Sequence, residues 1–369
     1  MMRGFSYVTM TTMPSPSLVG NLWQQRMDGL REYEVVRDGN VFRTSFTNNF
    51  LYTSEYEQAR QQLGAFREKY DGIPLSRIFS GKEKSTEAGV CFHISNNSEI
   101  PLPVFDSERY QQDLLTDLTL VKGIGEATCR RLKARGYVQI SDLIHHPKYR
   151  SHAYQIMEQL NLNNSLQIMD CVGNRHAKSH PLILGAAGLH EPEDFVFLDI
   201  ETMGLFSRPI ILFGVGVVAH SRFFVHQYLV RDIEEELPAL LATLDHLSDG
   251  NPGLVTFNGK SFDFPYFTDR LAYYGISQHN RIPHFDVLHF SRRRWKGRYP
   301  SLRLSALEEE ILGVSRQGDI PGQMVPEFYE DYLRTRNCGP LVPIIEHNRQ
   351  DVVSLARLFF FLLGETYGC

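Results

Sequence analysis

At 369 residues the chain exceeds one typical domain, and its 42% hydrophobic and 12% aromatic content supports packed cores and excludes gross disorder. A formal net charge of −5 excludes recognition of a polyanion by bulk charge, so any nucleic-acid contact must come from local basic patches. Five scattered cysteines (Cys91, Cys129, Cys171, Cys338, Cys369) form no C-x-x-C pair, which excludes a disulfide framework and a zinc knuckle and fits a reducing cytoplasm.

The opening residues MMRGFSYVTMTTMPSPSLVG lack the apolar run of a signal peptide, and Met2, Met10 and Met13 leave the first translated residue open. No stretch approaches the ~20 apolar residues of a membrane span, so a cytoplasmic protein without membrane contact is expected. Residues 1–110 are the least legible and are given no role. Within them the polar amphipathic run 54–70 reads as a helix and 87–94 as a short strand, before Pro101 and Pro103 break the pattern.

Residues 111–165 read as a compact helical unit. A first helix runs from Asp113 to Val121, Gly123-Ile124-Gly125 forms a tight turn, and a second helix from Glu126 to Arg135 stops at Gly136. Ser141 is the expected N-cap of a third helix. Residues 166–189, polar around 174–180, read as a linker.

From about residue 190 to 369 the pattern is α/β. Residues 196–201, 210–218 and 223–229 read as three strands joined by short polar turns, so an antiparallel start is expected. A helix over 233–247, a strand over 254–257, a helix over 262–274 and further helices follow, the last from about 342 to 363. That order is the order of a ribonuclease H-like fold, a mixed sheet flanked by helices.

Three acidic motifs lie in this half: Asp199-Ile200-Glu201, the NGKSFD stretch ending at Asp263, and the HNRQD stretch from His347 to Asp351. In a strand, Asp199 and Glu201 project to one face while Ile200 enters the core. Paired carboxylates at the tip of an apolar strand repel unless a cation sits between them, and hard oxygen ligands favour Mg²⁺ or Mn²⁺. Asp263 reads as a first-turn residue, where helix capping alone is a competing explanation, and Asn258-Gly259 can be a simple turn. His347 and Asp351 share a helix face. Taken together, the motifs supply four carboxylates for two ions ~4 Å apart, an arrangement suited to in-line displacement at phosphorus.

The ordered set resembles the DEDD (DnaQ-like) 3′–5′ exonuclease superfamily. The stretches FLDIETMGL, LVTFNGKSFDFPYF, HFDVLHFSRRRWKG, LRLSALEEEILG, DIPGQMVPEFYEDYLR and HNRQDVVSLARL are, more closely, similar to the YprB-like ribonuclease H-like domain family. The resemblance implies a metal-dependent nuclease, with Asp199, Glu201, Asp263 and Asp351 as ligands of two Mg²⁺ or Mn²⁺ ions. In that superfamily the third motif carries a His five residues before the Asp or a Tyr four before it. Here Glu346 stands at the first position and His347 at the second, so His347 takes the tyrosine's place as the expected base.

Gly123 and Gly125 between two helices resemble a helix-hairpin-helix element, whose backbone N–H groups approach a phosphate, with Lys122, Arg130, Arg131, Lys133 and Arg135 adding positive charge. An ordinary glycine-turn hairpin is the alternative. Arg292, Arg293, Arg294, Trp295 and Lys296 interleave cations with an aromatic, a surface suited to a single strand and its bases, or else a solvated face. Asn258 is a further candidate contact. His284, Asp286 and His289 are read as a structural junction, His176 and His180 as weaker still, and Lys260 is left without a role. The expectation is thus a two-metal 3′–5′ exonuclease acting on nucleic acid, DNA favoured over RNA, in repair or processing. The alternatives are a catalytically inactive binding scaffold and a structure-specific endonuclease using the same residues.

Overall fold

In the computed structural model, which describes residues 53–160, 164–204, 208–248, 250–277, 281–316 and 318–368, one sheet organises both halves of the chain. Seven strands, β1 (Gly81–Thr86), β2 (Gly89–Ser98), β3 (Phe195–Thr202), β4 (Ile210–Ala219), β5 (Arg222–Leu229), β6 (Gly253–Thr256) and β7 (His284–Asp286), lie in the order β1-β2-β5-β4-β3-β6-β7. The pairs β3–β4 and β4–β5 are antiparallel, as the short polar turns between them require, while β6 and β7 return parallel to β3 through helical crossovers. This mixed sheet flanked by helices is the expected ribonuclease H-like architecture.

The strand period of two divides the interior. Phe195 and Phe197 of β3 face one side and pack on Phe359 and Phe360 of the long final helix α13 (Leu341–Tyr367). Val196, Leu198 and Ile200 face the other side, against α8 (Glu236–Ser248) and α9 (Asp263–Tyr273) through Leu240 and Phe267. Phe197 is fully buried, and truncation to Ala there costs about 3–5 kcal/mol through lost contacts and a cavity. A third apolar cluster joins Phe92 and Ile94 of β2 to Leu229 of β5 and to Phe328 and Tyr329 of α12 (Val325–Thr335).

The part of residues 1–110 that is described belongs to this body. Helix α1 (Thr53–Lys69), expected over 54–70, reaches α12 through Arg60 and Glu327 at 3.1 Å, and the one-turn α2 (Leu75–Ile78) follows it. The single short strand expected at 87–94 is instead a hairpin turning through residues 87 and 88, whose second strand, β2, pairs with the β5 edge from Phe92↔Leu229 to Ser98↔Phe223. Met2, Met10 and Met13 lie outside the described residues.

The helical unit also departs from its expected outline. Its first helix is α3 (Ser107–Thr116), starting earlier than expected and ending where Asp117 turns its carboxylate onto the Thr119 N–H at 3.0 Å. A 3₁₀ turn at Leu118–Leu120 and the left-handed Gly123 lead into α4 (Glu126–Lys133). The third element is a 3₁₀ segment, Ile140–His145. Ser141 does not cap it, because the Asp142 carboxylate takes the N–H groups of Val138 and Gln139, both at 2.8 Å. Helix α5 (Arg150–Gln159) follows. The expected linker is largely helical, with α6 (Ser165–Gly173) and α7 (Pro181–Gly185), and Leu182, Ile183 and Leu184 are buried. Tyr110 of α3 donates to the Leu182 carbonyl at 3.0 Å and packs edge-on against Tyr367 of α13, so the unit and the sheet share one core. Among the described residues no helix is long and apolar enough to cross a membrane.

Candidate active site

Asp199 and Glu201 continue the Phe195/Phe197 register, so they emerge from β3 on the side covered by α13. Two glycines of β4, Gly214 opposite Asp199 and Gly216 opposite Phe197, let α13 approach there. A Cβ at Gly214 would run into the Asn348 carboxamide, and one at Gly216 into Phe223 and Val352. Asn348 is fully buried. Its Nδ2 donates to the Asp199 carboxylate at 2.8 Å, and its Oδ1 accepts from Gln227 Nε2 at 2.8 Å. The α13 face that carries Asn348 also brings His347 and, one turn on, Asp351 to the acids. His347 Nε2 stands 3.5 Å from Asp351 and 3.9 Å from Glu201.

Asp263 arrives from another direction, as the first residue of α9. Pairing of β3 with β6 ends at Phe197↔Val255, and beyond it the Ile200 N–H donates to Asp263 Oδ1 at 3.2 Å. The loop before α9 is fixed by Asp286 of β7, which accepts the N–H groups of Asn258 at 2.9 Å and Lys260 at 3.1 Å. Asn258 adopts a left-handed φ of 63°, and a Cβ at Gly259 would strike Thr256, so the Asn-Gly pair is demanded by the backbone. Asp286 is therefore a loop-holding residue, and His284 bonds Thr256 at 2.8 Å, in keeping with a structural junction.

Confinement shapes the charge states. Burial, and then the charges of Asp351, Asp263 and Glu201, push the Asp199 carboxyl well above its ordinary range. Burial pushes Glu201 up to about 8 and Asp263 up to about 7. Burial alone would lower the His347 imidazole, but the Asp319 hydrogen bond and the Asp351 and Glu201 charges outweigh it and hold it up at about 10. Several carboxylates that resist ionisation side by side form a donor set completed by hard divalent cations, which stabilise the ionised forms. The residues present therefore fit hard divalent cations.

Three partners of this site have no role that the sequence motifs assign. Asn348 is one. Arg316 donates to Asp351, to Glu308 at 2.6 Å and to Asp319 at 3.1 Å, gathering three carboxylates round one guanidinium. Asp319 accepts from His347 Nδ1 at 2.6 Å. The only traces in the sequence are that Asn348 adjoins His347, that Asp319 opens the DIPG stretch, and that glycines alternate in β4.

The other candidates lie elsewhere. Lys122, Gly123, Gly125 and Arg130 are exposed, with Gly123 left-handed at φ 86° and Gly125 extended before the first residue of α4. Arg293, Arg294 and Lys296 are exposed and Arg292 partly so, at the end of α10 (Val287–Trp295). Trp295 is only 3% exposed and stacks on Phe361, so the aromatic expected to receive bases is a core residue. Arg294 is paired with Glu365 at 3.0 Å.

Among the described residues, the tight group of three potential ligands is Asp117, His176 and His180, whose ligand atoms lie within 4.8 Å of one another. Each already has a structural partner. Asp117 caps the 3₁₀ turn and bonds His176 at 3.1 Å, the two imidazoles stack at 4.1 Å, and His180 Nδ1 accepts the Leu182 N–H at 3.3 Å. The four acids are spread wider, and three of them are drawn toward a protein donor: Asp199 to Asn348, Asp263 to Ile200, Asp351 to Arg316.

Comparison with known proteins agrees with this layout. The chain is 31% identical over 194 residues to the uncharacterized protein YprB of Bacillus subtilis, across 51% of this chain and 46% of that protein. The match thus spans less than half the length of the relative. A family model, RNase_H_2, described as RNase_H superfamily, matches residues 196–362, which run from β3 to the last turns of α13 and include all four acids and His347. Residues 196–362 are an RNase_H-superfamily domain.

Proposed function

We propose that the chain is a metal-dependent nuclease, a 3′–5′ exonuclease that cleaves phosphodiester bonds and favours DNA over RNA. The observation that carries this reading is the convergence of Asp199, Glu201, Asp263 and Asp351, with the protons of Asp199, Glu201 and Asp263 retained by burial and neighbouring charge. In this reading the four acids hold two Mg²⁺ or Mn²⁺ ions. Such ions supply Lewis acidity and neutralise charge that develops in an in-line displacement at phosphorus. Asn348 holds the Asp199 carboxylate in place through its Nδ2. His347 directs Nε2 toward Glu201 and Asp351 and takes the proton of the attacking water at that atom. With the surrounding carboxylates charge-compensated, the pull that keeps His347 protonated is relaxed, which brings the imidazole toward a range where it works as a base.

Nucleic acid is held by groups outside this centre. Asn258 borders it on the loop after β6. Arg292, Arg293, Arg294 and Lys296 contribute backbone contacts from α10, without the stacking role first expected of Trp295. In the helical unit, the Gly123–Gly125 turn with Lys122 and Arg130 contacts phosphates as a helix-hairpin-helix element does, through backbone N–H groups and without reading sequence.

The test is a panel of 3′-labelled single-stranded, duplex and branched DNA and RNA, with circular DNA alongside, in Mg²⁺ and in Mn²⁺. Stepwise release of 3′-terminal nucleotides from linear DNA, with circles left intact, is the expected result. Cleavage of circles would make the protein an endonuclease instead. Binding without cleavage in either metal would make it a scaffold.

A further inference from the structure

We infer that Asp319 is the positioning residue of this site: it orients His347 so that Nε2, and not Nδ1, faces Glu201 and Asp351. This rests on the nuclease reading above for its consequence, but its geometry stands alone. His347 sits one helical turn before Asp351 on α13, and nothing in that spacing decides which ring nitrogen turns inward. The decision comes from outside the helix. Asp319 Oδ1 accepts from Nδ1 at 2.6 Å, while Nε2 lies 3.5 Å from Asp351 and 3.9 Å from Glu201. A carboxylate on Nδ1–H fixes both the rotation of the ring and the tautomer, and leaves the lone pair of a neutral imidazole on Nε2.

Asp319 is itself held on both oxygens. Oδ1 also accepts the Ile320 N–H at 2.9 Å, and Oδ2 accepts from Arg316 at 3.1 Å. Arg316 in turn is anchored on Glu308 of α11 (Leu304–Leu312), which is fully buried, and on Asp351. A chain of charge-assisted bonds therefore runs from α11 through Asp319 to α13 and sets the imidazole relative to the acids. Burial would raise the Asp319 carboxyl, but the His347 hydrogen bond and the His347 and Arg316 charges outweigh it, so the group is held below its ordinary range as a carboxylate. The contact also bears on His347 standing four residues before Asp351: the ring's aim is supplied by the DIPG segment.

The experiment uses the full-length protein with Asp319→Ala, the isosteric Asp319→Asn, His347→Ala and the double variant Asp319→Ala/His347→Ala. In metal-free wild type we expect a strongly downfield Nδ1–H proton resonance, assigned by its loss in His347→Ala. It should be absent in Asp319→Ala and shifted upfield in Asp319→Asn. On a 3′-labelled oligonucleotide, Asp319→Ala should lower kcat by about 10–100-fold. The KM for nucleic acid and the Mn²⁺ affinity measured by calorimetry should stay within about twofold, and Asp319→Ala should add nothing in the His347→Ala background. A multiplicative loss in the double variant, or a fall in Mn²⁺ affinity, would overturn the assignment and make Asp319 a ligand or an independent group. Absence of the downfield resonance in wild type would overturn it whatever the activity. A wild type that shows the resonance but cleaves nothing would sink the nuclease reading and leave the Asp319–His347 contact standing.

Discussion

Asp199 shows the conflict built into the site at the scale of one residue. Its carboxylate is positioned by Asn348, yet its neighbours Glu201, Asp263 and Asp351 oppose its charge inside a largely buried space. Glu201 at about 8 and Asp263 at about 7 have folded pKa values above their unfolded ones. Such groups contribute stability that is fully present below the unfolded pKa and is lost as pH rises through the folded value. His347, held up at about 10, adds to the same trend. In metal-free protein the acids are therefore expected to cost melting temperature as pH rises from about 4.5 to 8, and His347 from about 6.5 to 10. Asp199→Asn, which keeps the shape and removes one of the crowded charges, should flatten that slope in EDTA. A variant whose melting temperature falls as steeply as wild type would show that the acids do not repel one another as described.

Elements carry the next constraints. Helix α13 reaches Asp199 only because β4 presents Gly214 beneath Asn348. Gly214→Ala should cost about 1–3 kcal/mol in urea denaturation by forcing the carboxamide away, and an unchanged midpoint would refute the close approach. On the opposite edge, β2, β5 and α8 stack His93, His226 and His246. Burial, then neighbouring charge, lowers all three imidazoles, His93 and His246 to about 4. A lowered folded pKa gives stability that is present above the unfolded value of ~6.5 and is lost as pH falls toward 4. Because the raised acids of the site drive stability the other way over the same window, the readout is a difference: in EDTA the melting temperature of His93→Phe should gain on that of wild type as pH falls from about 6.5 to 4, and a constant difference would contradict the buried, neutral cluster.

The same elements explain what was legible. The strands β3 to β5 could be read because a central strand is apolar on both faces, and Asp199 and Glu201 stood out as charges ending such a run. Strand β1, with the sequence GKEKST, has no apolar alternation and joins the sheet through backbone pairing with β2, which composition does not reveal. Asp142 displaced Ser141 as a cap because its carboxylate reaches two N–H groups at once. Trp295 looked like a stacking platform because its neighbours are cationic, but a helix places one residue in several toward the core regardless of its neighbours. Arg316 and Asp319 act through contacts with α13 that span 35 and 28 residues, and no local pattern encodes those.

At the scale of the molecule, the sheet of the RNase_H-superfamily domain extends beyond the residues that carry its sequence pattern. Strand β2 covers the β5 edge, and Phe92 and Ile94 fill the core beneath α12. A fragment starting at residue 111 should expose that edge and aggregate or melt earlier than the full chain; a monomeric fragment of equal melting temperature would contradict the shared sheet. The central claim, that four acids from β3, α9 and α13 form one divalent-cation centre, is met most directly by Mn²⁺ titration calorimetry on wild type, Asp199→Asn and Asp351→Asn. We expect saturable binding of two ions by wild type and loss of at least one in each variant. Undiminished binding by both variants would place the metal elsewhere, with Asp117, His176 and His180 the first residues to substitute.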